Sequence, residues 1–213
     1  KTASHMFTAK LFKEHIWTVV EANAKKLRGL LEAAPRDSPT DVFNLLNRFT
    51  LDTIGEIGFG KSIGSLENPN SPFLQSFDRA QQICFTRFVS PVWKLLRLLG
   101  LGSETTTSDH FGRLDSYSRS VVQELQESIS KEDDSPSKGE ASWAKLDSRR
   151  SFLGLFLADA KRRGDELSED FLRDLVINFL IAGRDTTAQA LSWTIYCLCQ
   201  HPGVAARARA EIK

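Results

Sequence analysis

Three stretches of this chain bring together residue types that do chemistry. Gly55-Glu56-Ile57-Gly58-Phe59-Gly60-Lys61-Ser62 fits the nucleotide-binding pattern Gly-x-x-x-x-Gly-Lys-[Ser/Thr]. In such a loop, backbone amides cradle phosphates while the lysine and serine reach phosphate and magnesium, which requires a strand before the loop and a helix after it. Here Phe49 to Ile54 continue a helical pattern, and Gly64, Asn68, Pro69, Asn70 and Pro72 leave no room for the second helix. Gly60-Lys61-Ser62-Ile63-Gly64 fits the Gly-x-Ser-x-Gly of a nucleophile elbow, which needs the same strand-to-helix turn. Of the four histidines (His5, His15, His110 and His201), the two downstream of it stand in no triad context. A glycine-rich turn accounts for both matches better than a site does.

The third stretch, Ala182-Gly183-Arg184-Asp185-Thr186-Thr187, lies inside an otherwise apolar helical run. Each polar group buried there without a partner costs about 1–3 kcal/mol, and Gly183 costs a further ~1 kcal/mol of helix propensity relative to alanine. Broken local rules in one place are what a functional site looks like. Ala182 and Thr186 are four apart, and Gly183 and Thr186 three apart, so they share a face on which the glycine leaves space for a ligand. The Thr186 hydroxyl accepts and passes a proton beside that space, and Asp185 exchanges protons with water. The alternative is a kinked structural helix whose Thr186 and Thr187 bond back to carbonyls one turn earlier. Spacing alone leaves both open.

The elements that must position these residues are helical, giving a mainly α fold. Leu11, Phe12, Ile16, Val19, Val20, Leu27, Leu30 and Leu31 mark an amphipathic helix over 8–34, stopped by Pro35. Pro39, Thr40 and Asp41 open a second, carried by Val42, Leu45, Leu46, Phe49 and Ile54. A third runs through Phe73, Phe77, Ala80 and Phe88 to Pro91, and a fourth over 105–130 on Leu114, Tyr117, Val121, Leu125 and Ile129. Residues 131–150, with five basic and five acidic side chains among serines, read as a solvated connector. A short helix over 152–162 precedes the long one, which starts at Ser168, runs to about Gln200 and must pass through a core; Pro202 opens another.

The 213 residues fit one large domain or two small ones, 41% apolar and 26% charged, as in a globular chain. A net charge of +1, from 28 basic against 27 acidic residues, argues against nucleic acid as a partner. Three cysteines imply no disulfide framework. Leu175 to Gly183, the longest apolar run, is interrupted by Asn178 and falls short of the ~20 residues a membrane span needs. The chain starts at Lys1 without a signal-peptide pattern and reads as a piece of a longer protein.

Phe171-Leu172-Arg173-Asp174 through Asn178, Ala182 to Thr187, Leu191-Ser192-Trp193 and His201-Pro202 resemble the helix I to helix J region of the cytochrome P450 monooxygenases. Lys1 to Phe7 resemble the segment just after the helix C haem-propionate motif of that family. Leu51-Asp52-Thr53-Ile54 with Phe59-Gly60 resemble its helix E and exit. The branch most similar hydroxylates long-chain fatty acids at or near the terminal carbon. The resemblance implies one partial domain over 1–213, the centre of the fold, with helix I at about 168–200. It makes Thr186 the oxygen-pocket threonine, Asp185 the acid that feeds it, and Ala182, Gly183 and Thr187 the surroundings of the haem. It sets Phe85, Phe88, Val89 and Phe179 near a fatty chain.

The implied cofactor is haem b, with electrons from NADPH through a reductase, O2 as co-substrate, and a parent protein held at the endoplasmic reticulum membrane by an N-terminal anchor outside this chain. The family's Phe-x-x-Gly-x-Arg-x-Cys-x-Gly loop and Glu-x-x-Arg motif are not in the sequence, and Cys84, Cys197 and Cys199 have no such flank. The chain alone is therefore expected to be inactive. Two readings from other classes stand beside this one: a P-loop nucleotide hydrolase using Gly55 to Ser62, and a non-catalytic helical interaction module.

Overall fold

The computed structural model describes residues 10–35, 37–133 and 151–212. Among them are eight α-helices, one 3-10 turn and no strand. They are α1 (Lys10–Ala33), α2 (Val42–Phe59), α3 (Pro72–Val89), α4 (Trp93–Leu99), α5 (Thr107–Asp133, entered from the 3-10 turn Gly102–Thr106), α6 (Phe152–Arg163), α7 (Glu169–Gln200) and α8 (Pro202–Ile212). Of the expected 131–150 connector, residues 131–133 close α5; the rest, like Lys1 to Phe7, lies outside the described residues.

The starts of these helices are set by side chains that satisfy otherwise orphaned amides. Asp41 accepts from Asn44 N at 2.9 Å, Ser71 from Leu74 N at 3.2 Å, Ser151 from Gly154 N at 3.1 Å and Ser168 from Phe171 N at 3.2 Å. Glu169 and Asp170 in the first turn of α7 also suit its dipole.

The long helix α7 packs most extensively against α2 and next against α5, while α3 packs on α5. Their shared core holds Leu51, Phe77, Val122, Leu153, Leu172, Val176 and Leu180, all essentially inaccessible. Each such side chain contributes about 1.5–3 kcal/mol when fully buried. The expectation that α7 passes through a core is corrected for its second half. Trp193, Ile195 and Tyr196 are exposed, Trp193 to 64%, because among the described residues nothing covers those side chains.

The loop leaving α2 decides between the two readings of Gly55 to Ser62. Helix α2, not a strand, precedes it; Gly60 ends that helix at φ 70, in the left-handed region that favours glycine. The chain then turns back, and the buried Asp52 receives Ser65 N on Oδ1 at 2.7 Å and Leu66 N on Oδ2 at 2.8 Å. Arg48 donates to Ser65 O at 2.8 Å and Leu66 O at 2.6 Å, and Ser65 Oγ to Arg48 O at 2.9 Å. Lys61, which a nucleotide site would need, is paired with Glu124 at 2.7 Å. No helix starts at Ser62, so the P-loop alternative is ruled out.

Two outcomes are expected. Asp52→Ala leaves two buried amides without acceptors and lowers unfolding stability by about 2–4 kcal/mol in urea titration. Lys61→Ala, which breaks an exposed pair, costs less than ~1 kcal/mol, and magnesium-ATP protects neither form. Tyr117, whose ring lies 4.1 Å from that of Phe73, has a buried hydroxyl without a partner. Burial, with Glu124 and Asp52 adding repulsion, pushes its phenol pKa up. Its neutral form is the one the fold requires, so its contribution is intact below the ordinary tyrosine value of about 10 and lost as pH rises beyond it. Tyr117→Phe, which removes an unsatisfied hydroxyl, should then be at least as stable as the parent at neutral pH and resist alkaline unfolding better.

Candidate functional site

The polar centre of α7 sorts its residues onto different faces, because successive positions turn by about 100°. Gly183 faces α2. A Cβ added there would stand 2.7 Å from Ile54 Cδ1 and 2.9 Å from Ile54 Cβ, closer than carbons approach. The ligand space that spacing assigned to this glycine is therefore filled by Ile54, and what Gly183 does for the site is let two helices touch.

Ala182 and Thr186 flank that contact on an open side, with Ala190 one turn further along the same row; all three are exposed. Thr186 Oγ1 donates to Ala182 O at 2.7 Å. Bonding back one turn and standing on an open face thus coexist, and the hydroxyl oxygen keeps its lone pairs for a second partner. Thr187 is also exposed.

Asp185 turns a third way, toward α3. Gln81 Nε2 donates to Asp185 Oδ2, and Gln81 Oε1 accepts from Arg184 Nη1 at 3.1 Å. Arg184, only 6% exposed, pairs through Nη2 with Asp78 Oδ1 at 2.6 Å and lies 5.2 Å from the Phe77 ring centroid. Its Nε is buried without a partner, and its Nη1 stands a looser 3.8 Å from Asp185 Oδ1. Sequence reasoning assigned no role to Gln81, Asp78 or Arg184. The available signal was Arg184 itself, since an arginine in an apolar helix demands a carboxylate.

A cavity of about 540 Å³ lies between α3, α5 and α7, walled by Phe77, Cys84, Phe111, Leu114, Ile177 and Ile181, with Gln81 also in its lining. Its polar rim holds Arg173 between Asp115, 3.1 Å away, and Asp174, 2.7 Å away. Arg119, and then Arg173, hold the Asp115 carboxyl below the usual range. Of the four residues expected near a fatty chain, Phe179 packs 4.3 Å from the Phe152 ring against the core. Phe85, Phe88 and Val89 stand exposed at the end of α3, Phe88 to 89%. The structure does not gather these four into one wall. It does continue the α3 face of Phe77, Gln81 and Cys84 into Phe88, at three- and four-residue spacing.

Cys84, Cys197 and Cys199 are exposed and unpaired, and among the described residues no cluster of three potential ligands could hold a metal ion. No described helix is long and apolar enough to cross a membrane.

A family model for cytochrome P450 matches residues 2–213. The chain belongs to the cytochrome P450 family. It is 32% identical over 216 residues to cytochrome P450 704B1 of Arabidopsis thaliana, covering all of this chain and 41% of that protein. It is 35% identical to cytochrome P450 monooxygenase cyp1 of Mycosarcoma maydis, covering 32% of it, and 28% identical to human cytochrome P450 4V2, covering 90% of this chain and 37% of that one. The crystal structure of the cytochrome P450DA heme domain superposes with a TM-score of 0.68 at 25% identity, over 97% of this chain and 40% of that one. The chain thus spans about two fifths of the length of such relatives. Membership implies a haem cofactor.

One outcome is expected from the α2–α7 contact. Gly183→Ala should cost about 1–3 kcal/mol through overpacking. In a double-mutant cycle with Ile54→Ala, the combined cost should fall below the sum of the two single costs, measured by urea unfolding.

Proposed function

We propose that this chain is the central part of a haem-dependent monooxygenase that hydroxylates a lipophilic substrate, a long-chain fatty acid at or near its terminal carbon. The observation that carries this reading is the open row Ala182, Thr186, Ala190, beside a Gly183 packed on α2 and an Arg184 and Asp185 clasped to α3. With nothing larger than threonine in it, such a row suits the edge or face of a planar macrocycle, and Ala182, Thr186 and Thr187 are the residues that would border it. None of the three cysteines has the flanking residues of the family's haem-ligand loop, so a thiolate that held haem would come from the parent protein outside this chain.

When bound, haem would supply the oxygen-activating electron chemistry. Overall, one atom of O2 enters a C–H bond and the other leaves as water, with two electrons from NADPH through a reductase and two protons. Moving those protons is the part this chain can perform. Thr186 keeps a hydroxyl on the open face, oriented by its bond to Ala182 O. Asp185, one position earlier and partly exposed, is the acid that exchanges protons with water.

The apolar lining of the cavity supports a lipophilic substrate, and its ~540 Å³ lies within the usual range for small-molecule sites. The exposed Phe85, Phe88 and Val89 would extend its α3 wall toward the access path. The fatty-acid class, the reductase and an endoplasmic reticulum location rest on the resemblance drawn from the sequence.

The parent protein tests this. Thr186→Ala should lower product formed per NADPH consumed by about tenfold or more, the reductant being recovered as hydrogen peroxide, with the carbon monoxide difference spectrum unchanged. Hexadecanoic acid should protect Cys84 from alkylation by N-ethylmaleimide while Cys199 stays reactive, read by peptide mass spectrometry. Unchanged coupling in Thr186→Ala would contradict the reading.

A further inference from the structure

The acid assigned to proton delivery does not hang free. The Gln81 carboxamide is used at both ends: its oxygen accepts from Arg184 Nη1 at 3.1 Å, and its nitrogen donates to Asp185 Oδ2. Arg184 is itself fixed by Asp78 at 2.6 Å, by burial and by the Phe77 ring beneath it. An amide held by a guanidinium on its oxygen must present its N–H groups the other way, so Arg184 dictates which end of Gln81 meets the carboxylate. The polarity of the chain is thereby fixed from Asp78 through Arg184 and Gln81 to Asp185.

Gln81 also lines the cavity between α3, α5 and α7. It thus touches both the space a ligand would occupy and the acid. Gln81 sits between the buried Phe77 and Ala80 and the cavity-lining Cys84, a place where an apolar residue would pack as well and where both ends of its carboxamide are hydrogen-bonded.

We infer that Gln81 is a positioning residue, holding the Asp185 carboxylate from helix α3 in the orientation that proton delivery requires. This rests on the reading of Asp185 as the acid. Asp185 approaches from α7, Gln81 and Asp78 from α3, and Arg184 is the charged neighbour on its own helix.

Two variants of the parent, haem-loaded protein separate positioning from mere helix clasping. Gln81→Glu keeps the length and the acceptor for Arg184 but, when ionised, donates nothing to Asp185. The clasp to Arg184 keeps its acceptor, whereas the bond that positions Asp185 is replaced by repulsion between two carboxylates. Gln81→Met removes both bonds while keeping volume. The carbon monoxide difference spectrum verifies that each variant is folded and loaded. We expect kcat for hexadecanoic acid to fall about tenfold in Gln81→Glu and Gln81→Met, with KM changed less than about twofold, approaching Asp185→Asn.

The second readout is independent of turnover. In the diamagnetic ferrous carbon monoxide form with γ-carboxyl carbon-13 aspartate, the Asp185 resonance is assigned by its loss in Asp185→Asn. It should move in Gln81→Met. Impaired Asp185→Asn with normal Gln81 variants overturns the positioning role alone. So does an unmoved resonance in Gln81→Met, or a moved one with normal kcat. Normal turnover in Asp185→Asn overturns the acid itself, and the positioning role with it.

Discussion

Helix α7 lies where it does because Gly183 has no side chain. With Ile54 occupying the place of its Cβ, α2 and α7 approach closely enough to make theirs the most extensive helix contact among the described residues. That approach fixes the rotation of α7 about its own axis. Leu172, Val176, Leu180 and Ala188 then fall in the core, Arg184 and Asp185 meet α3, and Ala182, Thr186 and Ala190 are left exposed. A methyl group at 183 would push the helices apart or turn one of them, and every downstream assignment of faces would shift with it.

The second constraint is electrostatic. The Arg184 guanidinium, in a residue only 6% exposed, loses most of its hydration, and such a charge is tolerated only when paired and hydrogen-bonded. Asp78 supplies the counter-charge, and Gln81 spreads the remaining polarity to Asp185. The loop clamp of Arg48 and Asp52 obeys the same rule at the other side of α2, with both charged groups consumed by backbone amides and carbonyls. In both places a buried ion is used to fix geometry. An apolar side chain of equal volume in its place would fill the space but lose the orientation.

Helix boundaries were legible because they are local. Asp41, Ser71, Ser151 and Ser168 cap the helices that come after them, and apolar spacing marks each core stripe, Leu114, Val121 and Leu125 among them. The oddity of Ala182 to Thr187 was legible as broken helix rules. Which face each of its residues takes was not. Gly183 reads equally well as a gap for a ligand or for a neighbouring helix, and only its partner Ile54, far away in sequence, distinguishes them. Gln81 was invisible for the same reason, since its two partners lie on another helix. Phe179 and Phe88 look alike in sequence, yet one packs on Phe152 and the other stands in solvent.

The rotation of α7, set by the Gly183–Ile54 contact, is thus what leaves Ala182 and Thr186 on the open side, where the proposed function sets the haem, and turns Asp185 toward Gln81. A crystal structure of the parent protein with haem bound tests it most directly. Ala182 and Thr186 should border the macrocycle, with Gly183 still against Ile54 and Gln81 still bonded to Asp185. A structure in which Gly183 faces the macrocycle and Thr186 packs against α2 would contradict it.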